Sequence, residues 1–211
     1  MIEHQARPLR IGDTAPGFRA RTTLGEVDLK NYRGRWLLLF SHPADFTPVC
    51  TSEFVALARA ADDFAARGCA LLGLSVDSLY SHLAWIDAIR HLFDVAIPFP
   101  IIEDPSMAIG AAYGMLDPAA PDTSTVRAVY FIDPDGVIRA TIWYPLSVGR
   151  SVAELLRLLD ALQRTASGEV LAPEGWRPGE RVLLPAPQRG DALGVSAPGE
   201  AWFYRERDDD A

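Results

Sequence analysis

Short apolar runs alternate with helix-length segments from Trp36 onward, and this alternation limits the possible folds more than any other feature of the chain. The runs WLLLFSH and ALLGLSVD are each followed by a segment with helical periodicity, at about residues 49–67 and 78–93. Continuous apolar runs of this length are typical of strands that are buried on both faces of a sheet. We therefore expect an α/β protein with a mixed central sheet flanked by helices.

The rest of the chain extends this pattern. IPFPIIED predicts an extended edge segment, because Pro98 and Pro100 cannot donate a hydrogen bond to a neighbouring strand. SMAIGAAYG predicts a short helix that ends at Gly114. RAVYFIDPDGVIRATIWYP predicts a hairpin with its turn at Asp-Pro-Asp-Gly, and SVAELLRLLDALQRTAS predicts an amphipathic helix that Ser151 could cap. This order of elements resembles the thioredoxin-like fold.

The composition changes near Gly168. Residues 168–211 are rich in proline and glycine, with isolated aromatic residues at Trp176, Trp202, Phe203 and Tyr204. We predict a main domain at residues 1–167 and a C-terminal extension at 168–211. The extension has too few apolar residues for its own core, so we expect it to lie over the main domain or a partner subunit. For the last residues, RERDDDA, a loose tail is an equal alternative.

Charge and hydropathy exclude several functions. The formal net charge of -8 argues against a nucleic-acid partner, because such binding depends on clustered Lys and Arg. No apolar run approaches the roughly 20 residues that cross a bilayer, and no signal peptide is evident, so we expect no membrane association and a cytoplasmic location. Two cysteines are too few for a disulfide framework, and each is judged by its own surroundings.

Cys50 lies in the segment SHPADFTPVCTSEF, where Thr47-Pro48 is a strong helix-start signal. With Thr47 as N-cap, Cys50 is the third helical residue, among unpaired N–H groups at the positive end of the helix dipole, where a thiolate is stabilised. Cys50 also belongs to an apolar stripe with Phe54 and Leu57, so inert packing is an alternative. Together the two observations place the sulfur on the floor of a shallow pocket that Pro43 could shape.

The segment PADFTPVC matches the Pro-x-x-x-Thr-x-x-Cys motif of peroxiredoxins, and SHPADFTPVCTSEF closely resembles their one-cysteine class. Further similar segments are LSVDSLYSHLAW, PFPIIED, YGMLDP, VRAVYFIDPDG, YPLSVGR and WRPGERVLLP. The resemblance implies a thiol peroxidase in which Cys50 attacks a peroxide and becomes a sulfenic acid. It implies catalytic roles for Pro43, Thr47 and Arg127, with Arg127 holding the thiolate and polarising the departing oxygen.

Other residues near these motifs keep two interpretations each. His42 could hydrogen-bond near the sulfur or position substrate, or it could be a packed structural histidine. Glu53 could hold Arg127 or another arginine, or act as a first-turn acid. We expect His82 and Trp85 to be packing or interface residues. For Arg127 itself, a structural ion pair is the alternative that the resemblance outweighs.

Cys69 is not expected to form a disulfide with Cys50. The intervening helix places the two sulfurs roughly 25 Å apart, far beyond disulfide reach, and Cys69 is best interpreted as a small apolar residue. The chain has no cysteine after Cys69. A one-cysteine mechanism follows, in which an external thiol, from a thioredoxin-like protein or glutathione, reduces the sulfenic acid.

Other classes of protein fit less well. The Cys-x-x-Cys pair of a disulfide exchanger is absent, and Cys50 with His42 supplies only two candidate metal ligands, so we expect no metal and no other cofactor. The alternative that stays open is a non-catalytic peroxide sensor or redox-dependent holdase that uses the same cysteine. Substrates could be hydrogen peroxide, alkyl hydroperoxides or peroxynitrite, and the resemblance implies a homodimer or a ring of dimers.

Overall fold

The computed structural model describes residues 9–116, 123–189 and 201–209, and the chain forms two compact units, residues 1–152 and 153–211. The strands of the first unit are β1 (Arg19–Thr22), β2 (Gly25–Asp28), β3 (Trp36–Ser41), β4 (Cys69–Ser75), β5 (Ile101–Glu103), β6 (Arg127–Ile132) and β7 (Ile138–Tyr144). Its α-helices are α1 (Pro48–Arg59), α2 (Ala61–Ala66), α3 (Leu79–Phe93) and α4 (Ala108–Ala112), and a 3-10 turn spans Leu29–Tyr32.

The strands of the first unit form one mixed sheet in the order β2-β1-β5-β4-β3-β6-β7. β4 pairs in parallel with both β3 and β5, whereas the β3–β6 and β6–β7 pairs are antiparallel. The predicted mixed sheet is confirmed, and so is the hairpin. The strands at the centre of the sheet are parallel because helices connect them, and two parallel strands can be joined only by such a crossover connection.

The prediction that IPFPIIED is an edge segment is wrong. β5 lies inside the sheet, between β1 and β4. The prolines do not prevent this, because the strand begins at Ile101, after Pro98 and Pro100. A proline lacks only the N–H group, and the carbonyl of Pro100 still accepts a hydrogen bond from the Gly73 N–H (3.0 Å).

The centre of the sheet explains its sequence. Nearly every residue of β3 and β6 is buried, which is why both strands are continuous apolar runs instead of alternating ones. The one long helix predicted after β3 is two helices, since α1 ends at Arg59 and α2 begins at Ala61. The break falls in an alanine-rich stretch without proline or glycine, so no local signal marks it.

The turn of the hairpin follows its sequence closely. The Gly136 N–H donates to the Asp133 carbonyl (2.8 Å), which closes a four-residue turn through Pro134 and Asp135. Gly136 has a φ of 71°, a conformation that favours glycine. The register then shifts by one residue at a β-bulge between Phe131 and Ile132, so the turn and the bulge together place Arg127 opposite Tyr144 at the far end of the hairpin.

The second unit has its own small core. It contains α5 (Val152–Arg164) and a two-stranded pair of β8 (Val182–Leu183) and β9 (Glu206–Arg207). The buried apolar residues that pack together are Ala161, Val170, Trp176 and Val182. Arg157 donates to the carbonyl of Trp176 (3.2 Å), and Arg164 pairs with Asp209. No helix formed by the described residues is long and apolar enough to span a bilayer.

Candidate active site

Cys50 lies at the start of α1, as the sequence predicts. Thr47 occupies the N-cap position with extended backbone (φ -90°, ψ 147°), and Pro48 is the first helical residue. The first intrahelical bond runs from the Thr51 N–H to the Thr47 carbonyl (2.9 Å). The N–H groups of Val49 and Cys50 therefore precede the helical hydrogen-bond ladder and are available to an anion.

Thr47 occupies the predicted N-cap position, but its side chain does not cap the helix. Its hydroxyl donates to the Ala44 carbonyl in the preceding turn (2.9 Å) and makes no capping hydrogen bond to α1. A hydroxyl has one proton, so the same proton is not shared with the Cys50 sulfur. In this structure Thr47 shapes the turn before the helix, and buried Pro43 follows the end of β3 in the same turn.

The Cys50 sulfur meets a guanidinium. Cys50 is fully buried on the inner face of α1, and Arg127 Nη1 donates to its Sγ over 3.4 Å. Arg127 begins β6, where the Nε and Nη2 groups both donate to the Leu146 carbonyl (3.0 and 2.9 Å). These two bonds fix the plane of the guanidinium and direct Nη1 toward α1.

Glu53 connects Arg127 to a second arginine that the sequence analysis did not assign. Arg127 Nη1 donates to Glu53 Oε2 (2.7 Å). Arg150 donates to the same carboxylate through Nε (2.8 Å), Nη2 (2.8 Å) and its backbone N–H (2.7 Å). Arg150 Nη1 also donates to the Ser41 and Ala128 carbonyls. The segment YPLSVGR, which ends in Arg150, was the signal that could have identified this residue.

The charges of this buried group do not cancel. Burial alone would raise the pKa of Glu53, but the hydrogen bonds and charges of Arg150 and Arg127 outweigh it, and the pKa is lowered. One ionised carboxylate between two guanidinium groups leaves one positive charge in a dry environment. An ionised Cys50 would balance that charge, since an unpaired buried charge is costly.

His42 lies beside this group, immediately after β3. Its ring stacks on Trp85 (centroids 5.2 Å apart) and meets the edge of Phe54, which lies one helical turn after Cys50. Nε2 is 2.9 Å from Asp45 Oδ1, whereas Nδ1 is buried with no hydrogen-bond partner among the described residues. Burial lowers the pKa of His42, although the hydrogen bond to Asp45 opposes this. His42 is therefore neutral.

Asp45 and His82 complete a buried cluster that the sequence did not reveal. His82 Nδ1 lies 2.8 Å from Asp45 Oδ2, and its Nε2 faces the Ile102 carbonyl (3.2 Å). His82 and Trp85 are fully buried within this chain, which agrees with the packing interpretation of both. Within the described ranges, one group of potential metal ligands is found, and it consists of His42, Asp45 and His82. The group offers three ligand side chains, and each of them is already hydrogen-bonded to another side chain of the group.

Cys69 lies at the opposite end of the strands from Cys50. Cys69 begins β4 opposite Trp36, at the start of β3, whereas the Arg150 contact to Ser41 marks the end of β3 as the active-site end. Trp36 and Ser41 are five residues apart along β3, so the two ends of this strand lie about 17 Å apart. Burial raises the pKa of the Cys69 thiol to about 12. Cys69 is a buried, protonated thiol in the interior.

A mixed sheet with a buried thiol at a helix start, contacted by an arginine, has the features of a thiol-based oxidoreductase. Comparison with known proteins gives the family. The AhpC/TSA family profile matches residues 11–141, and the profile of the C-terminal domain of 1-Cys peroxiredoxin matches residues 161–193. Peroxiredoxin 2 from Caldanaerobacter subterraneus subsp. tengcongensis is 50% identical over 179 residues, which cover 85% of this chain and 81% of the relative.

Solved structures agree with these sequence matches. A yeast mitochondrial 1-Cys peroxiredoxin superposes with a TM-score of 0.85 at 37% identity, covering 95% of this chain and 100% of the other. A cysteine-to-serine mutant of peroxiredoxin 6 from Arenicola marina gives 0.84 at 31% identity, covering 96% and 100%. The chain belongs to the AhpC/TSA family of peroxiredoxins. The predicted thioredoxin-like fold and the class of thiol-dependent peroxidase are confirmed.

Proposed function

We propose that this peroxiredoxin is a one-cysteine peroxidase, in which Cys50 alone carries the redox chemistry and an external thiol restores it. The observation that supports this most strongly is the Arg127 Nη1 contact to Sγ at 3.4 Å. That contact belongs to a buried group with one excess positive charge, formed by Glu53, Arg127 and Arg150. Such a group stabilises Cys50 as the thiolate, which is the nucleophilic form.

In the proposed reaction the Cys50 thiolate attacks the terminal oxygen of a hydroperoxide. The O–O bond breaks, the hydroxyl group moves to sulfur to form the sulfenic acid, and an alkoxide or hydroxide leaves and takes a proton from water. Arg127 Nη1 and the N–H groups at the start of α1 surround the position where negative charge develops. Glu53 and Arg150 keep Arg127 in place, while Thr47 and Pro43 shape the turn that presents Cys50.

Cys69 does not resolve the sulfenic acid in this proposal. It is buried at the far end of the strands, and burial raises its pKa to about 12, so it is not a nucleophile near neutral pH. The same holds for Cys69 of a second copy of the chain. The reductant is therefore an external thiol, either a thioredoxin-like protein or glutathione. The yeast 1-Cys peroxiredoxin is described as resolved via glutathione/thioredoxin systems, which fits this proposal.

The proposal also covers the substrate class, the cofactors, the cellular location and the assembly of the protein. Hydrogen peroxide and small organic hydroperoxides are the substrate class, and no metal or other cofactor takes part. We place the enzyme in the cytoplasm as a homodimer or a ring of dimers. Residues 168–211, which the sequence analysis assigned to an extension, contact the second subunit in this proposal. The exposed Trp202, Phe203 and Tyr204 are the apolar residues available for that contact.

The test is product identification followed by turnover. Reduced protein receives one equivalent of hydrogen peroxide with dimedone present, and intact mass and peptide mapping locate the adduct. We expect one adduct, at Cys50, in both wild type and Cys69→Ser. With excess peroxide and either glutathione or reduced thioredoxin, each chain should consume many equivalents. Consumption of about one equivalent with every reductant would contradict the peroxidase and favour a sensor, and a Cys50–Cys69 disulfide would contradict the one-cysteine mechanism.

A further inference from the structure

A cleft opens at the end of the sheet that lies away from Cys50. It has a volume of about 350 Å³ and is bordered by α2, by the start of β4 at Cys69 and by residues 98–100 before β5. Sites for small molecules in proteins have volumes of about 300–1,000 Å³. The cleft is therefore large enough for a small ligand, and it is separate from the active-site end of the strands.

The inner part of the cleft is apolar and preformed. Ala61 and Ala65 are four residues apart, so they share one face of α2, and their small side chains leave the space beside them open. Leu71 and Phe99 are buried residues that also line the cleft. Phe99 packs against the ring of Phe54 (centroids 5.7 Å apart), which holds it in place. This surface suits a flat, apolar group, because aromatic rings pack well against each other.

A positive charge borders this apolar surface. Arg35 lines the cleft, and its guanidinium carbon lies 4.9 Å from the centroid of the Tyr32 ring. Its hydrogen bonding within the described ranges is limited to a long contact from Nη2 to the Asn31 carbonyl (3.4 Å), and no carboxylate pairs with it there. The stacking on Tyr32 restricts the guanidinium before any ligand binds, so less side-chain entropy is lost when it pairs with a carboxylate.

Tyr32 adds a donor that also lacks a partner. The residue lines the cleft and is only 8% exposed, yet its hydroxyl makes no hydrogen bond to the part of the chain that the structure describes. Burial raises the pKa of Tyr32, although the charge of Arg35 opposes this, so the hydroxyl stays protonated and can donate. An enclosed polar group without a partner is uncommon in folded proteins. A bound acceptor would satisfy it.

A negative charge borders the same cleft. Asp62 lies in the first turn of α2, and its carboxylate has neither a hydrogen bond nor an ion pair among the described residues. Arg35 and Asp62 therefore line one cleft without neutralising each other. A neutral apolar ligand would leave both charges unpaired, and a simple anion would leave Asp62 unpaired. A ligand that carries both charges satisfies both residues.

We propose that this cleft binds an aromatic α-amino acid. The ligand carboxylate pairs with Arg35, the ammonium group pairs with Asp62, and the aromatic ring packs on Leu71 and Phe99. Charged hydrogen bonds to Arg and Asp fix the orientation of the ligand, while burial of the ring supplies the apolar contribution to affinity. Such binding goes beyond the proposed peroxidase function and uses no residue of that site.

The experiment is equilibrium dialysis of the reduced, full-length protein against radiolabelled L-phenylalanine. We expect saturable binding of one molecule per chain. Two analogues, used as unlabelled competitors, test the two charges separately. L-phenylalaninamide lacks the carboxylate and N-acetyl-L-phenylalanine lacks the ammonium group, and each should bind about tenfold more weakly, the effect of losing one charged hydrogen bond.

Variants locate the site. Arg35→Met and Asp62→Asn should each weaken the binding of phenylalanine about tenfold, and Arg35→Met should no longer distinguish phenylalanine from its amide. Ala65→Leu should abolish binding, because the larger side chain fills the cleft. Arg59→Met and Asp63→Asn are the matched controls, since both residues are exposed on neighbouring helical turns and neither lines the cleft. The controls should bind like wild type.

Several outcomes would overturn the proposal. No saturable binding by wild type at about 10 mM phenylalanine would do so, since affinities weaker than this are not specific recognition. Equal affinity for phenylalanine and both analogues would show that the charges are not used. Unchanged binding by folded Ala65→Leu would place the ligand elsewhere. Oxidation of Cys50 by peroxide, measured on the same samples, reports the proposed function independently, so the failure of either proposal is recognised without the other.

Discussion

Replacing Arg127 with methionine removes the guanidinium from Cys50 while keeping an unbranched side chain of similar length. The wild-type contact group has one carboxylate and two guanidinium groups, with Arg127 Nη1 3.4 Å from Sγ. Without Arg127 the Glu53–Arg150 pair is neutral, and the Cys50 thiolate loses both a charged donor and its countercharge. Removal of one such preorganised donor slows a reaction about 10²–10³-fold. We expect that loss in the rate constant for oxidation by hydrogen peroxide.

The fold should survive this change. Glu53 keeps three hydrogen bonds from Arg150, so its carboxylate is not left without partners. The Leu146 carbonyl loses its donors, but the Leu146 residue is 53% exposed and water can reach it. The free energy of unfolding should therefore fall by only about 1–3 kcal/mol.

The assay is stopped-flow tryptophan fluorescence under pseudo-first-order conditions, with circular dichroism as a check of folding. Arg139→Met is the matched control, because Arg139 is an exposed arginine on the neighbouring strand β7 that pairs with Asp133, away from Cys50. The control should react like wild type. A folded Arg127→Met protein that reacts within threefold of wild type would refute the role assigned to this arginine.

Three further predictions concern the buried groups. Glu53→Gln leaves Arg127 and Arg150 without their shared anion, so the free energy of unfolding, measured by urea denaturation, should fall by about 3–5 kcal/mol. This loss should exceed that of Arg127→Met, and an equal or smaller loss would contradict the account of the ion cluster. Folding lowers the pKa values of His42, Asp45 and Glu53, so the unfolded state binds more protons than the folded state as pH falls. The free energy of unfolding should therefore be complete above pH 6.5 and decline as pH falls below the ordinary pKa values of 6.5 for His42 and 4.5 for Glu53. A free energy of unfolding that stays constant from pH 7 to pH 4 in denaturant titrations would contradict this. Cys69 should resist iodoacetamide in native reduced protein and react only after unfolding, since burial raises its pKa to about 12. Mass spectrometry of a Cys50→Ser variant tests this, and labelling of Cys69 in the native protein would contradict the prediction.

Local signals predicted the elements that carry the site. Thr47-Pro48 predicted the start of α1, and with it Cys50 as the third helical residue, because capping and proline preferences act within a few residues. The hairpin turn was likewise predicted from adjacent residues, Asp-Pro-Asp-Gly. The two errors, the edge position of β5 and the uninterrupted helix through Ala60, concern features that local residues do not encode.

The partners of the site residues could not be predicted in the same way. Arg150 reaches Glu53 across 97 residues of chain, and His82 reaches Asp45 across 37. Such contacts depend on how strands and helices assemble, and no local periodicity specifies them. Similarity to a family identified Arg127 from the segment VRAVYF, but Arg150 and Asp45 gained a place in the site only from the three-dimensional contacts.

The most direct test of Cys50 as an activated peroxidatic thiol is its rate of reaction in the fully reduced protein. Trp85 donates to Thr51, the residue after Cys50, so tryptophan fluorescence should report oxidation in a stopped-flow instrument. Wild type and Cys69→Ser should react with hydrogen peroxide much faster than free cysteine does, whereas Cys50→Ser should show no fast phase. A wild-type rate no greater than that of free cysteine would contradict the account.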